Sequence, residues 1–129
     1  MNPVLMVSSD RHRLAGFAEV LGNSGFEVVW EESGAAALQR ARQTRPLLVV
    51  LDEHLVDMTA WEAIRRLLSI DAAINTAVVS RLESEKFHAV SEGLGVMARI
   101  PFNPEKRSAM EVIEALNRLI KPPIKYGHS

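Results

Sequence analysis

The stretch Pro46-Leu47-Leu48-Val49-Val50-Leu51-Asp52, with the polar loop Glu53-His54-Leu55-Val56-Asp57-Met58-Thr59 behind it, decides the fold. An unbroken apolar run rich in Val and Leu reads as a strand buried on both faces. Such strands lie in the middle of a parallel sheet with helices above and below. This one ends at a carboxylate. In an open α/β sheet, ligands and chemistry gather at the carboxyl ends of central strands. Asp52 is therefore the first candidate site residue, and a helix cap or turn former is its plainer alternative.

The flanking sequence repeats the pattern. Val4-Leu5-Met6-Val7 is a short apolar strand, and Ser8-Ser9-Asp10 offers caps for a helix from Arg11 to Gly22 with Leu14, Phe17, Ala18 and Leu21 at helical spacing. Phe26 to Trp30 is a second strand. Ser33-Gly34 opens a helix carrying Ala35, Leu38 and Ala41, and Pro46 stops it. After the central strand, Trp61, Ile64, Leu67 and Leu68 mark a third helix. Thr76 to Val79 is a fourth strand, ending at Ser80. A weaker helix over Glu83–Glu92 has Phe87 and Val90 as its apolar pair, and Val96–Ile100 is a fifth strand. Beyond the rigid turn Pro101-Phe102-Asn103-Pro104, a helix from Glu105 to Ile120 presents Ala109, Val112, Ile113, Leu116, Leu119 and Ile120 as a broad apolar face. Strict alternation of five strands and five helices is the pattern of a doubly wound α/β parallel sheet with short, right-handed connections.

Composition narrows the function classes. At 129 residues the chain is one domain able to bury its own core, and it contains no Cys, which excludes disulfides, a thiol nucleophile and thiolate metal sites. Fifteen Lys and Arg against sixteen Asp and Glu leave a formal charge of -1, without the basic excess of a nucleic-acid domain. No apolar run approaches the roughly 18 residues of a membrane helix. The expectation is a cytoplasmic domain with neither nucleic-acid nor membrane partners. There is no glycine-rich phosphate loop and no Gly-x-Ser-x-Gly elbow. His12, His54, His88 and His128 have no metal-ligand spacing, so no metal or cofactor is expected.

Three pieces in order, Gly25-Phe26-Glu27-Val28 running into Ser33-Gly34-Ala35-Ala36-Ala37-Leu38, then Leu48 to Met58, then Arg99-Ile100-Pro101-Phe102, resemble the receiver (CheY-like) domain of bacterial two-component response regulators. The likeness runs from Val4 to about Lys121. It implies a flavodoxin-like three-layer sandwich with strand order 2-1-3-4-5, a receiver-like domain over residues 1–121 and a C-terminal tail over 122–129. It also implies that Asp52 holds the phosphoacceptor position and Ser80 the hydroxyl that meets the phosphoryl group. The family's Mg²⁺-binding acidic pair is matched by Ser8 and Ser9, its phosphate-gripping Lys by Ile100, its switching aromatic by Met97, and its usual Pro and Gly of the loop by Val56 and Ala60. A small residue is usual where Arg81 stands. The frame looks complete while the chemical set is depleted, as in an atypical receiver.

The remaining polar residues carry plainer expectations. Asp10 reads as a cap of the first helix, Asp57 as a solvated loop acid, and His54 as offering a backbone carbonyl where the family has a metal ligand. Without Mg²⁺ or Lys, a carboxylate at the end of a buried strand needs a partner. Two readings of Arg81 stand side by side: its guanidinium folds over the pocket and pairs with Asp52, or it points into water.

Three functions follow. The leading one is an atypical response-regulator receiver in phosphorelay signal transduction, a phosphoprotein rather than an enzyme, partnered by a sensor histidine kinase or another signalling protein. A weak homodimer through the helix 4/strand 5/helix 5 face accompanies it; that face carries Lys86, Arg99, Lys106, Arg107 and Arg118 beside Glu83, Glu92, Glu111 and Glu114. The alternative is a phosphorylation-independent protein-interaction or scaffold module on a receiver frame. The third is a small enzyme using Asp52 with Ser80, which requires a pocket of a few hundred Å³.

Overall fold

The computed structural model describes residues 3–120. Its elements alternate as β1 (Pro3–Val7), α1 (Arg11–Asn23), β2 (Glu27–Glu31), α2 (Gly34–Thr44), β3 (Leu48–Asp52), α3 (Ala60–Ile70), β4 (Asn75–Ser80), α4 (Ser84–Ser91), β5 (Val96–Pro101) and α5 (Lys106–Ile120). All strand pairings are parallel, in the order β2-β1-β3-β4-β5. The expected tail over 122–129 lies outside the described residues.

The apolar run over Leu48–Leu51 becomes the middle of the sheet because both of its faces are covered. Alternate residues point to opposite sides. Leu48 and Val50 join Val4, Met6, Ala77 and Val79 against Leu14, Phe17 and Leu21 of α1 and Val112 and Leu116 of α5. Val49 and Leu51 join Leu5, Val7 and Val78 against α2 and α3, with Phe87 of α4 completing that layer. Two helices thus cover one face and three the other. Where β3 leaves the chain's second helix, Arg45 takes a left-handed φ of 49°. The following Pro46 disfavours a helical conformation for Arg45, so α2 ends before the proline.

Four expectations about the apolar elements are corrected, the first being Ala35, which is exposed while Ala37 joins Leu38 and Ala41 on the buried face of α2. β2 runs one residue later than expected, because the Phe26 amide instead bonds the Leu21 carbonyl in the turn after α1. Leu119 and Ile120 are 60% and 43% exposed. At 1.5 Å per residue α5 is about 22 Å long, more than the roughly 17 Å of a five-residue strand, and its last turn is left uncovered. Val90 is exposed as well; α4 buries Phe87 and Ser91, an i,i+4 pair that defines a narrower stripe.

The sheet order brings the carboxyl ends of β1, β3, β4 and β5 to one edge. The register sets Asp52 beside Val79 and Ser80 beside Pro101, so the loops after these strands enclose a common space.

Candidate functional site

Asp52 closes β3, and its surroundings are built from the first turn of α1. Its Oδ2 accepts a hydrogen bond from the Ser8 hydroxyl at the end of β1. The same oxygen meets Nη2 of Arg13 at 2.6 Å, in an ion pair whose side chains are only 11% and 10% exposed. Its Oδ1 is buried and without a partner among the described residues. Ser8, fully buried, also accepts from the Asp10 amide at 2.9 Å, which fixes the turn from β1 into α1.

Arg13 is held on every side. Its Nη1 donates to the Phe102 carbonyl at 2.5 Å, its Nε meets Asp10 Oδ2 at 3.2 Å, and its guanidinium carbon lies 3.9 Å from the Phe102 ring centroid. Asp10 Oδ1 meanwhile caps α1 through the Arg13 amide, as expected of a residue in that position. One guanidinium therefore ties β3, α1 and the β5–α5 turn together.

Arg81 does not pair with Asp52, which corrects the first of its two readings. Its guanidinium carbon sits 3.8 Å from the centroid of the same Phe102 ring. Two guanidiniums this close to one centroid cannot share a face without overlapping, so Phe102 is sandwiched between Arg13 and Arg81. Ser80 is engaged too: its hydroxyl donates to Glu53 Oε1 at 2.6 Å and accepts from the Leu82 amide at 3.0 Å. Together these residues line a cavity of about 310 Å³ that includes Asp10, Arg13, Asp52, Ser80, Arg81 and Phe102.

Asp57 is exposed, as a loop acid should be, yet it is not merely solvated. Its two carboxylate oxygens accept from the Gly34 and Ala35 amides at 2.8 and 3.0 Å, at the start of α2. The Ala35 amide first, then the Gly34 amide, hold its carboxyl below the usual aspartate value of 3.8. Next to it Met58 packs against Gly34 so closely that a Cβ there would lie 2.5 Å from the Met58 sulfur.

The sequence and the fold have known counterparts. Over 121 residues the chain is 25% identical to the chemotaxis protein CheY of Thermotoga maritima, covering 92% of this chain and 97% of that one. It is 29% identical over 105 residues to the chemotaxis protein CheY of Bacillus subtilis, covering 79% and 83%. The chain is similar to these CheY receivers over most of its length. No protein-family model matches it. The fold agrees: a CheY-like receiver domain from Methanospirillum hungatei superposes with a TM-score of 0.80 at 22% identity, covering 92% of this chain and 95% of that one.

The likeness to receivers implies Mg²⁺ beside the strand-end aspartate, and the residues around Asp52 do not fit it. Mg²⁺ requires hard, anionic oxygens in near-octahedral array. Ser8 and Ser9 are neutral where the carboxylate pair belongs, both Asp10 oxygens are given to Arg13, and Asp52 Oδ2 already carries a hydroxyl and a guanidinium. Among the described residues no three His, Asp or Glu side chains gather as a metal site. Ile100, which the resemblance sets against the family's Lys, is buried in the core with Val79 and Val112. Sequence reasoning brought Asp52, Ser80 and Arg81 to one cavity but missed Arg13, Glu53 and Phe102. A signal for Arg13 was present. A cation in the first turn of a helix opposes the helix dipole, so it calls for a carboxylate nearby.

Proposed function

We propose that this receiver domain serves response-regulator signalling as a phosphorylation-independent interaction module, with Asp52 held by Arg13. The Arg13–Asp52 pair carries the reading. Aspartyl phosphorylation needs a free carboxylate oxygen for attack and cations to neutralise the transferred group. Here Oδ2 is occupied by Ser8 and Arg13, and Oδ1 is shut away from solvent. The Ser80 hydroxyl is spent on Glu53. A buried guanidinium supplies the positive charge that Mg²⁺ and Lys supply elsewhere, but as a permanent part of the fold.

Such a domain relays a state by docking rather than by turnover. Its partner is a sensor kinase or another signalling protein, and the face of α4, β5 and α5 offers the exposed Val90, Met110 and mixed charges for that contact or for weak self-association. No membrane-crossing helix is present among the described residues.

Intact-mass spectrometry after incubation with phosphoramidate, with and without Mg²⁺, tests the proposal. The expected result is no adduct in either condition. A Mg²⁺-dependent aspartyl-phosphate on Asp52 would overturn it in favour of ordinary phosphorelay. Sedimentation velocity over a concentration series reads the self-association separately.

A further inference from the structure

The cavity at the carboxyl edge of the sheet has more in it than a neutralised aspartate. Its charges are almost all accounted for: Asp10 and Asp52 are paired with Arg13, and Glu53 accepts the Ser80 hydroxyl. Arg81 is the exception. Among the described residues it meets no carboxylate and its guanidinium donates no hydrogen bond, while its face is fixed 3.8 Å from the Phe102 centroid. Stacking uses the face of a guanidinium and leaves its in-plane N–H donors at the edge, as an oriented fork. Leu82 and the edge of Phe102 left between the two guanidiniums line the same cavity, which at about 310 Å³ is of small-molecule size.

We infer that this cavity binds a small organic carboxylate with an apolar body, its carboxylate paired to the edge of Arg81 and its body against Leu82 and the free edge of Phe102. A planar carboxylate matches the fork with two parallel hydrogen bonds. Inorganic phosphate matches the fork as well, but it leaves the apolar wall unused and brings extra negative charge toward Asp10, Asp52 and Glu53, which line the same space. A singly charged carboxylate is therefore favoured. Contact with the ring restrains the guanidinium before the ligand arrives, which lowers the ordering cost of binding. The inference goes beyond the proposed function and stands on Arg81, not on whether Asp52 is ever modified.

The test is an NMR titration of the full ¹⁵N-labelled chain with phenylacetate, phenylacetamide, acetate and inorganic phosphate. Phenylacetate should give saturable shifts at the Arg81 side chain and at the Leu82 and Phe102 amides. Phenylacetamide, lacking the charge, and acetate, lacking the body, should each bind about tenfold more weakly or worse. The exposed R81A variant should keep the dispersed spectrum of the fold and lose phenylacetate binding by at least about tenfold, with R81K between the two. Absence of saturable shifts, unchanged binding in R81A, or phosphate binding as tightly as phenylacetate would each overturn the inference. An aspartyl-phosphate adduct would sink the proposed function while leaving this titration unaffected, so the two failures are distinguishable.

Discussion

Replacing Arg13 by alanine removes the cation paired with Asp52, and the structure sets the size of the consequence. The pair is buried on both sides and its closest approach is 2.6 Å. Truncating one partner of such a pair leaves an uncompensated charge in a poorly solvated site, which costs about 3–5 kcal/mol. The stacking on Phe102 and the bond to its carbonyl are lost at the same time, which places R13A toward the upper end of that range. A domain of this size has a total stability of about 5–15 kcal/mol, so R13A should unfold at much lower urea with an unchanged slope and lose about 10–20 °C in Tm. D52N retains an acceptor for Ser8 but removes the attraction to the guanidinium. It should cost about 1–3 kcal/mol, less than R13A, because Arg13 keeps Asp10 and the Phe102 carbonyl. In R13A/D52N the stranded carboxylate is gone, so the double variant should be more stable than the sum of the single losses predicts, by about 1.5–3 kcal/mol. Urea denaturation of the four proteins at neutral pH gives that coupling directly. Single variants within about 0.5 kcal/mol of the parent, or a coupling near zero, would refute the idea that this pair organises the site.

Asp57 should make stability depend on acid. Its folded-state pKa lies below its unfolded one, so its contribution is fully present above the unfolded value near 3.8 and is lost as pH falls through the lower folded value. D57N should cost about 0.5–1 kcal/mol at neutral pH and flatten that part of the acid-unfolding profile; a profile identical to the parent's would remove the α2 cap from the account. E53A takes the acceptor from the Ser80 hydroxyl and should cost about 1 kcal/mol, with amide shifts centred on Ser80 and Leu82 rather than spread through the sheet. Leu116, fully buried between α5 and the sheet, should lose about 2–5 kcal/mol on change to alanine, whereas the exposed Leu119 should lose less than about 0.5 kcal/mol. Equal losses at these two positions would contradict the uncovered last turn of α5.

The sheet was legible because its physics is local. The Leu48–Leu51 run can only be two-sidedly buried, and the alternation of residues along β1 and β3 between the two cores follows from strand period alone. Asp52 was legible for the same reason, since a polar residue closing such a run must lie at the sheet's ligand edge. The partners of Asp52 were not. Asp52 and Arg13 are 39 positions apart, and their meeting depends on how α1 leaves β1, which the Ser8 and Asp10 turn contacts determine. Arg81 follows the strand adjacent to β3 and looked the nearer cation by topology alone.

Which arginine takes the carboxylate is decided by what else each can satisfy. Arg13 approaches Asp52 from a helix start already anchored by the Asp10 cap, and there it also gains Asp10 and the Phe102 carbonyl. Its buried guanidinium thus finds a partner for each edge, the condition under which burying a charge is tolerable. Arg81 would gain one contact at Asp52 and would have to displace a guanidinium already bound there. On the opposite face of Phe102 it keeps its hydration and gains a ring. The order of occupancy follows from desolvation: the cation with the most partners goes inside, and the one with the fewest stays at the rim, where its donors remain free for a ligand.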